Sequence, residues 1–197
     1  MVEAINEFIE LHARAGWLLP ALFVFFAIDG ILPPLPSEGV LIGLAAVGAA
    51  TGAPHWLELF VAAAAGAWVG DNLAYVIGRR ARLDRFLGRT ARGRRVLAWA
   101  LRHLERRGAV IIIVGRWVPV GRAAVNLTAG ATAFSHRRFA MLTVVSGGLW
   151  AAWSVGVGTL AGRWVEDNAL LGALLGVAAA LLLGLVIERL TRALPSM

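Results

Sequence analysis

Apolar residues run from Trp17 to Ile28 and again from Gly39 to Val47, and between the two runs stand Asp29, Pro33, Pro34, Pro36 and Glu38. Each proline removes a backbone donor and clashes with the preceding turn, so no continuous helix passes through. Each apolar arm is about a dozen residues, or roughly 15–20 Å at a helical rise. That is half to two thirds of a bilayer core of ~30 Å. The lengths predict a re-entrant hairpin over residues 17–50 that enters the membrane, breaks at the prolines and returns to the same face. Non-helical backbone at membrane depth is tolerated only where it is buried in protein or lines a wet cavity. A polar cavity is therefore expected beside this break.

The rest of the chain continues the pattern. Residues 1–16 suit an amphipathic surface helix, with Ile5, Phe8, Ile9 and Leu11 apolar among glutamates. Thr51-Gly52-Ala53-Pro54 reads as a turn. Residues 56–78 are long enough to span, with Trp56, Trp68 and Tyr75 as interface anchors and Asp71 and Asn72 as the strongly polar interior positions. Residues 82–107 keep helical spacing of apolar positions and predict two basic amphipathic helices, parted near Gly93. Residues 109–130 form a second broken hairpin: Ile111–Val114 leads in, Pro119 breaks, and Ala123–Ala129 leads out. Residues 139–161 make a second span and 169–188 a C-terminal transmembrane helix. The expected fold is an all-α integral membrane protein with two re-entrant broken hairpins, about three transmembrane helices and surface amphipathic helices. Its core covers residues 17–163.

The two halves echo each other. Each has a proline-broken hairpin followed by a span that contains Gly-x-Trp (Gly66-Ala-Trp68, Gly148-Leu-Trp150) and ends in Gly-Arg (Gly78-Arg79, Gly162-Arg163). The first span is expected to end inside and the second outside, which makes an inverted repeat. Transporters with such repeats place a site at midplane, where their helices break.

Composition agrees with a membrane location. Of the 197 residues, 59% are hydrophobic and only 16% charged, where a soluble domain is nearer half apolar and a quarter charged. The mean hydropathy is +0.73. With no cysteine there is no disulfide framework, thiolate metal site or thiol nucleophile. All nineteen basic residues are arginine, so Schiff-base chemistry at lysine is excluded. The acidic start (Glu3, Glu7, Glu10) is the opposite of a signal-peptide n-region, and no cleavage is expected. Between Arg79 and Arg107 lie eleven arginines against Asp84 and Glu105, a local balance of +9. Beside a span this charge predicts a cytoplasmic segment in contact with anionic phospholipids rather than a nucleic-acid surface. Residues 79–107 and the C-terminus are accordingly expected inside.

Asp29, Glu38, Arg116 and Arg122 are ionisable residues in apolar surroundings at the hairpin tips. At the centre of a membrane helix each costs roughly 2.5–3.5 kcal/mol, so such charges are functional candidates by default. Asp29 and Glu38 are candidates for proton coupling. Arg116 and Arg122 offer planar forks suited to a phosphate. The alternative is an acid–arginine set that only latches the hairpins together. Asp71 is a third proton-coupling candidate, with snorkelling or pairing as the competing reading. Asn126 and Thr128 read as helix caps before they read as polar lining. His12, His55, His103 and His136 lack metal-ligand spacing, and no Walker-type loop, HExxH or GxSxG is present. No cofactor, metal or enzymatic reaction is expected.

Four stretches taken together resemble the DedA family of membrane proteins, relatives of the VTT-domain (SNARE-associated) lipid scramblases. They are Asp29-Gly-Ile-Leu-Pro-Pro-Leu-Pro-Ser-Glu38, then Gly70-Asp71 with Tyr75 and Gly78-Arg79, then Gly115-Arg-Trp-Val-Pro-Val-Gly-Arg122 with Gly130, and finally Phe139 with Gly147-Gly-Leu-Trp150. The resemblance covers roughly residues 17–163. It implies a bacterial inner (plasma) membrane protein that moves undecaprenyl phosphate or phospholipid between leaflets, in some members with the proton motive force. It maps family-important acids to Asp29 and Glu38 and arginines to Arg116 and Arg122. Asp29 stands where glutamate is usual, and Val120-Gly121 where Gly-Val is commoner.

A lipid translocase is thus the leading expectation, with membrane lipids and protons as partners and a homodimer compatible with the sequence. Two other classes compete: a proton- or ion-coupled transporter of small solutes or drugs, and a non-transporting scaffold for envelope assembly. A lipid phosphatase finds no nucleophile or histidine pair in the sequence.

Overall fold

The computed structural model describes residues 15–32, 35–81, 89–117, 119–132 and 134–163. Over these residues the chain is all-helical: α1 (Leu18–Asp29), α2 (Ser37–Thr51), α3 (Trp56–Arg80), α4 (Ala91–Gly115), α5 (Pro119–Ala131) and α6 (His136–Arg163). The expected surface helix at the N-terminus, Pro33 and Pro34, residues 82–88 and the C-terminal helix lie outside the described residues.

Local chemistry accounts for the helix ends. Pro36 stands at the N-cap of α2, and Glu38 in its first turn meets the positive end of the helix dipole. Gly52 closes α2 in the left-handed region at φ +81° and donates its N–H to the Gly48 carbonyl, the backbone state glycine adopts at least cost. At the start of α3 the Glu58 carboxylate reaches back to accept from the His55 N–H at 3.3 Å, as in a capping box. Pro119 opens α5, where its missing donor would have been unpaired anyway.

α3 has 25 residues and α6 has 28, both long and apolar enough to cross a membrane; at 1.5 Å per residue they reach roughly 37 and 42 Å. Trp56, Val61, Leu73 and Ile77 on α3, and Met141, Val145, Trp153 and Leu160 on α6, are exposed. Large side chains in such positions suit contact with acyl chains. α1 and α2 are shorter apolar helices. α4 differs from expectation. It continues through Gly93, whereas the boundary expected between the basic helices and the second hairpin, at residues 107–109, coincides with non-helical dihedrals at Arg107, where one helix gives way to another. A glycine in a helix costs about 1 kcal/mol, too little to end α4 among its helix-forming neighbours.

The chain divides into two units, one from the described parts of residues 1–22, 36–63 and 150–197, the other from those of residues 23–35 and 64–149. In the first, α2 and α6 pack through small residues. Any Cβ on Gly158 or Gly162 would collide with the carbonyls of Ile42 and Ala46, and Leu41, Ile42, Ala46 and Leu59 are fully buried. In the second, Tyr75, Leu104, Ile112, Ala129, Phe134 and Phe139 form the core. The Tyr75 hydroxyl donates to the Phe134 carbonyl, and its ring lies 4.9 Å from that of Phe139.

Candidate functional site

The site lies in the second unit and begins with a helix crossing. α3 presents Gly66 and Gly70 to the Phe23 and Ala27 carbonyls of α1, and a Cβ on Gly30 would fall 2.6 Å from the Gly70 backbone. Small residues one turn apart let two helix backbones touch. The consequence is electrostatic. Asp29 ends α1 and Asp71 follows Gly70, so the crossing carries two carboxylates, 3% and 1% exposed.

Two arginines meet them. Arg116, just beyond the end of α4, donates from Nη1 to Asp71 Oδ2 at 2.5 Å, with both side chains 2% exposed. Arg122, in the first turn of α5, pairs through Nη2 with Asp29 Oδ2 at 2.9 Å. The same Nη2 donates to the Asp29 backbone carbonyl. That carbonyl belongs to the last turn of α1, where C=O groups have no helical partner and a cation complements the dipole. Arg122 therefore both balances a charge and caps a helix. Arg116 also lies within electrostatic range of Asp29 and Arg122, so the four groups form one cluster of two negative and two positive charges.

A neutral member completes it. Asn126, 2% exposed, donates from Nδ2 to Asp71 Oδ1 at 2.8 Å. It sits one turn beyond Arg122 and so on the same face of α5. The closeness of α5 to α3 again depends on glycine: a Cβ on Gly78 would strike the backbone of Leu127, and one on Gly130 that of Tyr75.

The remaining candidates fall elsewhere. Glu38 is half-buried in the first turn of α2 and belongs to the first unit. Pro36 caps α2 and Pro119 starts α5. Asn72 turns toward α6, donating to the Trp68 carbonyl at 2.8 Å and to Thr143 Oγ1 at 3.4 Å, with His136 Nε2 2.9 Å from its Oδ1. Thr128 is half-buried in α5, and its carbonyl accepts from the Thr132 hydroxyl at 2.8 Å. One expectation needs correction: Asn126 and Thr128 do not cap a helix, since both lie inside α5, and the Asn126 amide is spent on Asp71. Of snorkelling and pairing, pairing is what Asp71 does: it is buried and ion-paired with Arg116. The spacing of four between Arg122 and Asn126 was the signal available for Asn126. For the partner of Asp71 there was none, because it is 45 residues away.

Chemically, a guanidinium fork matches the geometry of a phosphate as well as that of a carboxylate.

Comparison with known proteins agrees with this architecture. The VTT domain model matches residues 35–160. An uncharacterized membrane protein of Mycobacterium tuberculosis is 30% identical over 196 residues, covering 89% of this chain and 88% of that protein. Undecaprenyl phosphate transporter A of Staphylococcus aureus is 24% identical, with 85% and 81% covered. Inner membrane protein YqjA of Escherichia coli is 29% identical over 162 residues, with 75% and 69% covered. No solved structure matches. A family model spanning the greater part of the chain, relatives that are themselves membrane proteins and two helices long enough to cross a bilayer lead to one conclusion: the chain belongs to the DedA family of VTT-domain membrane proteins.

Proposed function

We propose that the protein is a lipid translocase that carries the phosphate head group of undecaprenyl phosphate or a phospholipid between leaflets, with proton exchange at its buried carboxylates. The observation that carries this reading is the cluster of Asp29, Asp71, Arg116 and Arg122, buried in a chain whose relatives include an undecaprenyl phosphate transporter. Buried ion pairs are poor stabilisers compared with apolar residues of the same size, so a fold that needed only a latch has cheaper choices. In the proposed cycle a phosphate displaces a carboxylate from Arg116 or Arg122, the freed carboxylate takes a proton, and the acyl or prenyl chains stay in the bilayer. Glu38 is proposed as a further proton-exchanging group at the start of α2.

The proposed frame is an inverted repeat of two broken hairpins and two spans. Its support is the reciprocity of packing: Gly78 of α3 meets α5, and Gly162 of α6 meets α2. The proposed topology puts residues 79–107 and the C-terminus on the cytoplasmic side, supported by the charge of that segment.

One observation favours a second reading, a structural latch without transport: Arg122 is held by the α1 carbonyl as well as by the Asp29 carboxylate. Reconstitution separates the two. Proteoliposomes carrying the wild type should move a fluorescent undecaprenyl phosphate analogue between leaflets, and those carrying Arg116→Ala or Arg122→Ala should not. Full transport by both variants rejects the translocase site.

A further inference from the structure

Asp71 offers two oxygens, and the structure gives them to different partners. Oδ2 takes Arg116 at 2.5 Å and Oδ1 takes Asn126 at 2.8 Å. Arginine–carboxylate pairs are strongest when two parallel N–H···O bonds use both oxygens. The Asn126 amide, 2% exposed and on the same α5 face as Arg122, takes the oxygen that such a second bond would use. An amide is also suited to a carboxylate that changes charge. It donates through its NH2 to the ionised form, and after rotation its oxygen accepts from the protonated form. An arginine can do only the first of these.

We propose that Asn126 is a positioning residue that keeps the Asp71–Arg116 pair exchangeable. By holding Oδ1 it limits the grip of Asp71 on Arg116, and it keeps Asp71 in place while Arg116 is lent to a phosphate monoester. The proposal rests on the translocase reading and names the residue that sets how readily the site gives up its arginine. Without Asn126, Asp71 turns both oxygens to Arg116 and competes better against the phosphate. The loss in phosphate affinity is that of one hydrogen bond to a charged group, roughly tenfold.

The test is calorimetric titration of the full chain in detergent with farnesyl phosphate, and with farnesol as the phosphate-free control. Asn126→Leu, close in volume and without donors, should bind farnesyl phosphate roughly tenfold more weakly than wild type and farnesol equally well. Asp71→Asn removes the competitor and should bind farnesyl phosphate at least as tightly as wild type. Adding Asn126→Leu to Asp71→Asn should change nothing further, because the two act through one contact. Asn126→Ala, which removes the amide without adding bulk, should show the same roughly tenfold loss and serves as the second arm if the leucine variant does not fold. Wild-type affinity in Asn126→Leu overturns the proposal, and so does a loss that persists in the Asp71→Asn background. A wild type that fails to distinguish farnesyl phosphate from farnesol, with Arg116→Ala no different, overturns the translocase reading together with this one.

Discussion

Replacing Arg116 by methionine keeps most of its length and removes its charge, leaving the Asp71 carboxylate with Asn126 as its hydrogen-bonding partner at Oδ1. The side chains of the pair are both 2% exposed, so water cannot take over from the guanidinium. Breaking a buried pair from one side costs about 3–5 kcal/mol. At roughly 2–4 °C per kcal/mol for a chain of this size, the melting temperature in detergent should fall by about 6–20 °C. Arg122→Met should cost less, because the Asp29 carboxylate left behind stays within electrostatic range of Arg116. The informative variant is the double one. With Asp71→Leu and Arg116→Met together no charge is stranded, and apolar replacement of a buried pair is often neutral or stabilising by ~1–4 kcal/mol. The double variant should melt near or above wild type and yet move no labelled undecaprenyl phosphate in proteoliposomes. Recovered stability with recovered transport would show that the pair is only a latch. A single Arg116→Met that melts with the wild type would refute the electrostatic reasoning itself.

The helix crossing and the topology give two more expectations. Gly30→Ala puts a Cβ 2.6 Å from the Gly70 backbone, so it should push α1 off α3, lower the yield of folded protein in size-exclusion chromatography and abolish transport; Gly148→Ala and Gly156→Ala, with nothing within 4 Å, should match wild type or melt slightly higher. Cysteine in place of the exposed Arg95, in a chain otherwise free of cysteine, should resist a membrane-impermeant maleimide in intact cells and react after lysis; labelling of intact cells would reverse the proposed topology.

Several features of the site were legible along the chain. Proline at residues 36 and 119 marks helix starts because it lacks the donor a helix interior needs. Asp29, Arg116 and Arg122 stood out because a charge among apolar residues is expensive in a bilayer, and that cost does not depend on the fold. The kink at Arg107 falls at the boundary read between the basic helices and the second hairpin, where arginines give way to an apolar run. The role of Asn126 was not legible, because its helix position fits lining or capping until its neighbour is known.

By itself, then, the sequence determined the helical class, the two helices long enough to span, the places where helices break and the residues whose charge needs a partner. Each of these follows from the covalent and solvation properties of residues near one another in the chain. Tertiary structure decided which partner each charge received. Arg116 found Asp71 across 45 residues and Arg122 found Asp29 across 93, while Glu38 fell in the other unit. Those choices follow from where the glycines of α3 let α1 and α5 come into backbone contact. Moving such a crossing by one turn shifts a helix by about 5.4 Å, more than the reach of a hydrogen bond, while leaving its apolar pattern nearly the same.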